Sequence, residues 1–278
     1  MTSNNVHCSE TIDHLLIKKY FFDNIPLENK IRTINQEIKI GNRIADVYFE
    51  LEKGQKVVIE IQHSKISVKE LMERTREYNK NDIHVLWILD GIGPYDKQAK
   101  NEDKVLLSLS EKILHVLYLG RVYYINASSD GIKSSLYSLH YTRYIEAKKT
   151  RYGFIYYRQS KSNYNAVFNE INSLKLKLFR HKGLKLARFF DLNIKKQCIS
   201  EVSEFINAYI NYQNCKPGKA ESLCPDGLPL AVIIRKFREK YGLYLLFNVL
   251  RYLRVFNMRD AKYMFEKRFW FKKIVVSR

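Results

Sequence analysis

A mixed α/β fold, with a β-sheet flanked by helices and then a mainly α-helical basic region, is predicted for this 278-residue chain by three observations. The stretch Glu37–Leu89 passes from alternating strand pattern to a β-branched strand, a Ser-capped helical pattern and a continuous apolar strand, the order expected of a mixed sheet. A cluster of Ser, Asp and Gly between Ser128 and Ser138 then interrupts the pattern. Beyond it, apolar residues recur at helical spacing between Lys and Arg. The expected organisation is therefore an α/β domain over residues 1–135 and a basic, aromatic-rich helical domain over residues 136–278.

The elements follow in order. Residues 9–23 carry Ser9 as an N-cap and Ile12, Leu15, Leu16 and Tyr20 at helical spacing, with a loop expected at Pro26. Thr33–Ile40 and Arg43–Leu51 flank Gly41-Asn42, a hairpin turn signal. A second turn at Glu52-Lys53-Gly54-Gln55 leads to KVVIEIQ (56–62), so three antiparallel strands are expected in sequence. Ser67 with Glu70 three residues on predicts a capping box and a helix to Asn79, and HVLWILD (84–90) reads as a strand buried on both faces. A strand, a helix and a second buried strand make a right-handed crossover with parallel strands. Residues 102–114 are expected to be helical, and 113–120 with 121–127 to form a strand pair around Gly120-Arg121. Further on, helices are expected over 200–213, 229–241 and 243–271, with a Pro-rich loop at 214–229.

Composition narrows the function class. A 46% hydrophobic content supports a real core. Lys+Arg and Asp+Glu balance at 19 each over residues 1–139, so the entire net charge of +19 lies in 140–278. A basic half interleaved with aromatics, as in RYGFIYYRQSK (151–161), points to a polyanion partner with unpaired bases for the rings to stack on. The four cysteines, Cys8, Cys198, Cys215 and Cys224, have no zinc spacing and are expected to be unligated thiols. The opening MTSNNVHCSETIDH is polar and the longest apolar run, LYLLFNVL (243–250), is too short for a bilayer, so no membrane association and a cytoplasmic location are expected.

The chemistry concentrates on two strands. Side chains at i and i+2 on a strand share a face, so Glu60 and Gln62 point together, with Val58, while Val57, Ile59 and Ile61 face the covered side. Asp46 on the adjoining strand can meet them. Hard oxygen donors of this kind suit Mg²⁺, which is usually held by one or two carboxylates with waters and substrate phosphate completing the shell. Glu37 on the first strand is either a further carboxylate ligand or a plain strand residue. Arg74 and Tyr78, four apart on the helix after the site, either grip a phosphate or buttress helix against sheet. Glu10, His14 and Lys18 recur every fourth residue and form one polar stripe. His63 and His84 read as structural.

The runs ADVYFEL, VIEIQHSKIS, Arg74-x-x-x-Tyr78 and IHVLWILD resemble the nuclease domain of the CoiA-like competence protein family, within the PD-(D/E)XK nuclease superfamily. Asp46, the Glu60-x-Gln62 pair, and Ser64, Ile66 and Ser67 match that family's pattern over about residues 9–90. The resemblance implies a restriction-endonuclease-like core, Asp46 and Glu60 as metal ligands, and Glu10, His14 and Lys18 as site members. It also implies a Mg²⁺ cofactor, with Mn²⁺ as a substitute, and DNA as partner. Gln62 stands where the wider superfamily usually has Lys. An amide cannot take a proton, so Gln62 would orient the attacking water or a phosphate oxygen. The expected activity is metal-dependent hydrolysis of DNA phosphodiester bonds, with single-stranded or branched DNA favoured. The alternative is a DNA-binding accessory protein on a nuclease scaffold that no longer cuts. RNA as substrate and the oligomeric state are left open.

Overall fold

Alternating burial along consecutive strands and buried stripes on the helices build the architecture from the sequence upward. The computed structural model describes residues 11–91, 105–126, 136–149, 151–152, 155–191, 194–214, 237–238 and 240–253. The chain divides into two compact units that interleave along the sequence: 1–100, 108–139 and 169–191 form the first, and 101–107, 140–168 and 192–278 the second.

The first unit opens with helix α1, Ile12–Glu28, which is capped by Thr11, whose hydroxyl accepts from the backbone N–H of His14 at 3.3 Å. Ile17, Phe21 and Ile25, spaced by four, bury one stripe of it. The expected loop at Pro26 is corrected, because the helix runs through that residue to Glu28. Pro26 falls in the last turn, where its missing donor removes a single hydrogen bond and the closing bond from the Asn29 N–H to the Ile25 carbonyl is still made. Strands β1, Ile31–Ile40, and β2, Arg43–Leu51, form the hairpin, with Gly41 at φ +60° in its two-residue turn. Strand β3, Lys56–Gln62, pairs antiparallel with β2, and strand β4, Ile83–Asp90, pairs parallel with β3 over seven residues. Helix α2, Val68–Lys80, makes the crossover between them. Ser67 caps it as expected, its hydroxyl accepting from the Glu70 N–H at 3.1 Å, but the carboxylate of Glu70 is drawn away to two arginines, so the reciprocal half of the capping box is not made. Residues 57–61 of β3 are all buried, so both faces are covered rather than the one expected.

Helix α3, Leu109–Leu117, holds a complete capping box of Ser108 and Glu111. The expectation of a strand over 113–120 is thereby corrected, since the cap nucleates a helix that carries Leu114 and Leu117 into the core and ends with Leu119 and Gly120 at positive φ. Strand β6, Arg121–Ile125, joins β4 in parallel, through Leu89–Tyr124 and Asp90–Ile125.

The expectation of a mainly helical region from residue 136 is corrected over 136–189, where strands β7, Leu136–Lys149, β8, Ile155–Glu170, β9, Leu176–His181, and β10, Leu184–Phe189, are found. Leu alternates with Lys along KLKLFRH and LKLARF, and Lys182-Gly183, both at positive φ, turn the chain between them, a pattern of period two that marks a hairpin. This hairpin belongs to the first unit, β10 pairing parallel with β4 at Leu186–Val85. Two asparagines tie it down. The side chain of Asn79 receives the N–H of Lys185 and donates to its carbonyl, and that of Asn29 does the same for Leu176 and Leu174.

The second unit contains the two-residue strand β5, Val105–Leu106, paired antiparallel with β8, and helices α4, Ile194–Asn214, and α5, Leu243–Tyr252. Its core gathers Cys198 and Val202 of α4, Phe237 and Tyr241, and Leu245, Leu246, Val249 and Leu250 of α5. Cys198 is a buried free thiol; Cys8, Cys215 and Cys224 lie outside the described residues, as do residues 215–236, with all but the first residue of the Pro-rich loop expected at 214–229, and residues 254–278. No described helix is long and apolar enough to cross a membrane.

One contact in the first unit is energetically exposed to mutation. Arg121 and Asp191 form an ion pair with both side chains almost fully buried. Removing one partner strands the other charge, which typically costs about 3–5 kcal/mol. Arg121→Met is expected to lower the stability of the protein by about 3 kcal/mol in urea denaturation; a loss below about 1 kcal/mol would show that Asp191 is neutralised by other means.

Candidate active site

Register brings the acidic residues together. Val47 pairs with Ile59, so the antiparallel count carries Asp46 to the position across from Glu60. On the other side, Gln36 pairs with Val47 and Ile38 with Ala45, which sets Glu37 across from Asp46. Glu37, Asp46 and Glu60 thus occupy one row across β1, β2 and β3. The described ladder between β2 and β3 starts only at Val47–Ile59, and Asp46 bridges the strands instead by accepting the Ile61 N–H on Oδ2 at 2.7 Å.

Each carboxylate in the row has a helix-borne partner. From α1, His14 Nε2 lies 3.1 Å from Asp46 Oδ1, and Lys18 Nζ donates to Glu37 Oε1 at 2.5 Å. Lys18 is only 1% exposed, so a buried ammonium faces the row. Glu37 has φ +54°, a left-handed conformation that costs a non-glycine residue on the order of 1 kcal/mol. From α2, the hydroxyl of Tyr78 donates to Glu60 Oε1 at 2.6 Å, and Arg74 donates to Glu60 Oε2 at 3.3 Å. The expected polar stripe of α1 therefore reaches the site through His14 and Lys18, while Glu10 lies outside the described residues.

Arg74 and Tyr78 both donate to Glu60, the kind of helix-to-sheet contact that the buttressing alternative describes. Arg74 also donates to Glu70 at 2.9 Å, and Arg43, just after the hairpin turn, reaches Glu70 at 2.7 Å and Glu77 at 2.9 Å. A chain of ion pairs runs from the β1–β2 turn across α2 to the buried Glu60. Arg43 was not singled out by sequence, because nothing in its spacing links it to residues 27 and 34 positions away. Gln62 donates its amide nitrogen to the carbonyl oxygen of Ser64 at 2.9 Å and to the Ser64 hydroxyl at 3.3 Å. This turns the amide oxygen into the group it can offer elsewhere. Ser64 acts as the brace of Gln62.

The histidines divide. His84 is half-buried and its burial lowers its pKa, in keeping with a structural role. His63 is instead paired through Nδ1 to Asp90 Oδ2, at the adjoining ends of parallel β3 and β4. The available signal was an Asp closing an otherwise apolar strand whose parallel register runs one step short of His63.

Glu60 is 2% exposed, and burial, then repulsion from Asp46, pushes its carboxyl up to about 7 despite the hydrogen bonds from Tyr78 and Arg74. Two carboxylates that repel each other across a strand gap are the donor set that a divalent cation would neutralise. Among the described residues no group of three or more His, Cys, Asp and Glu is placed to hold a metal. The pair fits a hard ion that takes two carboxylates and completes its shell with water and phosphate.

The raised value fixes the sign of a pH effect. An unfolded Glu ionises near its ordinary value of 4.5, whereas the folded one holds its proton to about 7, so the unfolded state binds fewer protons between those values and stability falls as pH rises through the window. The loss amounts to about 3 kcal/mol. In EDTA, urea denaturation from pH 4 to 8 is expected to show this decline for the wild type and a flatter profile for Glu60→Gln; parallel profiles would show that Glu60 is not the group responsible.

No curated protein matches the chain. Among solved structures, that of Pyrococcus furiosus SfsA in complex with Ca²⁺ is similar at 15% identity, over 45% of this chain and 58% of that one, with a TM-score of 0.26. The chain thus spans less than two thirds of SfsA. The family described as "Competence protein CoiA, nuclease-like domain" matches residues 10–172, which carries the likeness well past the 9–90 stretch in which its motifs lie. With more than half of the sequence matched, from the first helix to just beyond β8, this chain belongs to the CoiA nuclease-like domain family.

Proposed function

We propose that this protein is a Mg²⁺-dependent deoxyribonuclease that hydrolyses phosphodiester bonds in DNA processing, recombination or uptake, with Mn²⁺ able to substitute. The observation that carries this reading is the meeting of Asp46 and Glu60 between β2 and β3, a pair whose mutual repulsion helps keep the Glu60 carboxyl protonated to near neutral pH.

Asp46 and Glu60 would hold the cation, with Glu37 held back by Lys18. Bound there, Mg²⁺ supplies a polarised phosphodiester and a water of lowered pKa. The remaining work falls to the chain. His14 fixes one oxygen of Asp46 and the Ile61 N–H fixes the other, so this carboxylate is oriented before anything binds. Tyr78 and Arg74 do the same for Glu60. Gln62, braced by Ser64, orients the attacking water by accepting one of its O–H groups on the amide oxygen, and takes no proton. Lys18 places a positive charge beside the row, where phosphate charge would gather. The basic excess of residues 140–278 would supply phosphate contacts, and its aromatic residues would favour single-stranded or branched substrates.

A second reading, a DNA-binding accessory protein that does not cut, is favoured by one observation. Gln62 replaces a protonatable side chain, and its donor end is already committed to Ser64.

Two experiments separate the readings. Single-stranded, duplex and branched DNA are expected to be cleaved with Mg²⁺ or Mn²⁺ and left intact in EDTA, with Asp46→Ala and Glu60→Asn each slowing cleavage at least about a hundredfold, in line with several kcal/mol of metal-assisted stabilisation. Equal cutting by the variants, or none by any form, removes the catalytic reading. In thermal melting, Mg²⁺ is expected to raise the Tm of the wild type and not that of Asp46→Ala, since a ligand that binds only the folded state stabilises it. Identical melting in Mg²⁺ and EDTA supports the accessory reading.

A further inference from the structure

The second unit contains a groove of about 480 Å³ lined by Thr142, Lys195, Leu245, Asn248 and Tyr252, within the size range of small-ligand sites. Leu245, Asn248 and Tyr252 are spaced three and four apart on α5 and therefore share one helix face. Along that face the chemistry changes in order: Leu245 is buried, Asn248 is half-buried, and Tyr252 is 68% exposed at the rim. Lys195 comes from the first turn of α4, which also carries Lys196 and has no acidic residue. None of the described lining residues is acidic. Thr142, from β7, has a buried hydroxyl oxygen with no hydrogen-bond partner among the described residues, an uncommon condition that a ligand group or ordered water relieves.

We propose that this groove binds one unpaired nucleotide of a single-stranded DNA segment. Each part of a nucleotide finds a matching group. An exposed aromatic ring stacks on the face of any base, and Leu245 gives the base an apolar floor. The Asn248 amide has a donor and an acceptor for a base edge. Lys195 lies where the phosphate would sit, beside the positive end of α4, whose backbone N–H groups favour an anion. A base inside a duplex has both faces covered by its neighbours, so Tyr252 distinguishes an unpaired strand from a paired one. The +19 excess of residues 140–278 supplies the long-range attraction, and the groove supplies the contact that selects for single strands. Binding here is independent of cleavage at Asp46 and Glu60.

The test uses the full chain in EDTA, so that no cutting occurs, with a labelled oligodeoxythymidylate and a duplex of equal length read by fluorescence anisotropy. Tyr252→Ala is expected to weaken single-strand binding roughly tenfold and to leave duplex binding unchanged, while Tyr252→Phe binds as the wild type does. Lys195→Gln is expected to reduce the slope of log affinity against log salt by about 0.7 on the single strand. Tyr252 is exposed, so both variants should melt as the wild type does. Unchanged single-strand affinity in Tyr252→Ala overturns the proposal, as does an equal loss on duplex, which would leave only a general basic surface. Absence of single-strand binding by the wild type overturns it as well, whatever the cleavage assay shows.

Discussion

Burying a carboxylate beside another carboxylate is the constraint around which the first unit is arranged. An isolated charge in a protein interior is costly enough that the group ordinarily gives up its ionisation, and Glu60 goes part of that way. The rest of the compensation is structural. Tyr78 and Arg74 must stand one helical turn apart on α2 and face β3, which fixes the rotation of the helix about its axis. Arg74 is itself held by Glu70, Glu70 by Arg43, and Arg43 by Glu77, which also accepts the Asn42 N–H in the β1–β2 turn at 3.1 Å. The hairpin, the crossover helix and the central strand are thereby coupled through polar contacts whose terminus is Glu60. Most of these pairs are half-exposed and individually worth little; their effect is to set geometry.

The opposite end of the row is built differently. Lys18 is buried but its partner Glu37 is 55% exposed and sits in a left-handed backbone conformation. A residue in the left-handed region that holds a buried cation beside two carboxylates is local backbone strain of the kind that clusters at functional sites. Asp46, between the two ends, has both oxygens engaged, one by a side chain and one by the backbone. The site is thus preorganised from both helices.

The second unit separates tasks. Its buried cluster is made of aliphatic and aromatic residues with Cys198 and holds no lysine or arginine among the described residues. The groove beside α5 sits on the edge of that cluster, sharing Leu245 with it. One residue of the core therefore also positions the rim aromatic, through the i, i+7 spacing to Tyr252.

The local signals in residues 11–90 were strong because they are short-range: a Gly-Asn turn, a Ser cap, a β-branched run and an apolar strand each act within a few residues, and together they placed Asp46, Glu60 and Gln62 correctly on β2 and β3. The same rules misread 113–117, where the Ser108–Glu111 capping box outweighs a strand-like apolar run, and 136–189, where basic residues between aromatics obscured a period of two. Tertiary structure alone decided the rest. Whether Arg74 and Tyr78 meet a substrate or a carboxylate depends on how far α2 lies from β3, and the pairing of His63 with Asp90 depends on parallel register between strands separated by a helix. So does the docking of β9–β10 by Asn29 and Asn79, across more than a hundred residues. Sequence periodicity specifies which face of an element a side chain takes; which partner waits on that face is set by packing between elements distant in the chain, and no local pattern encodes it.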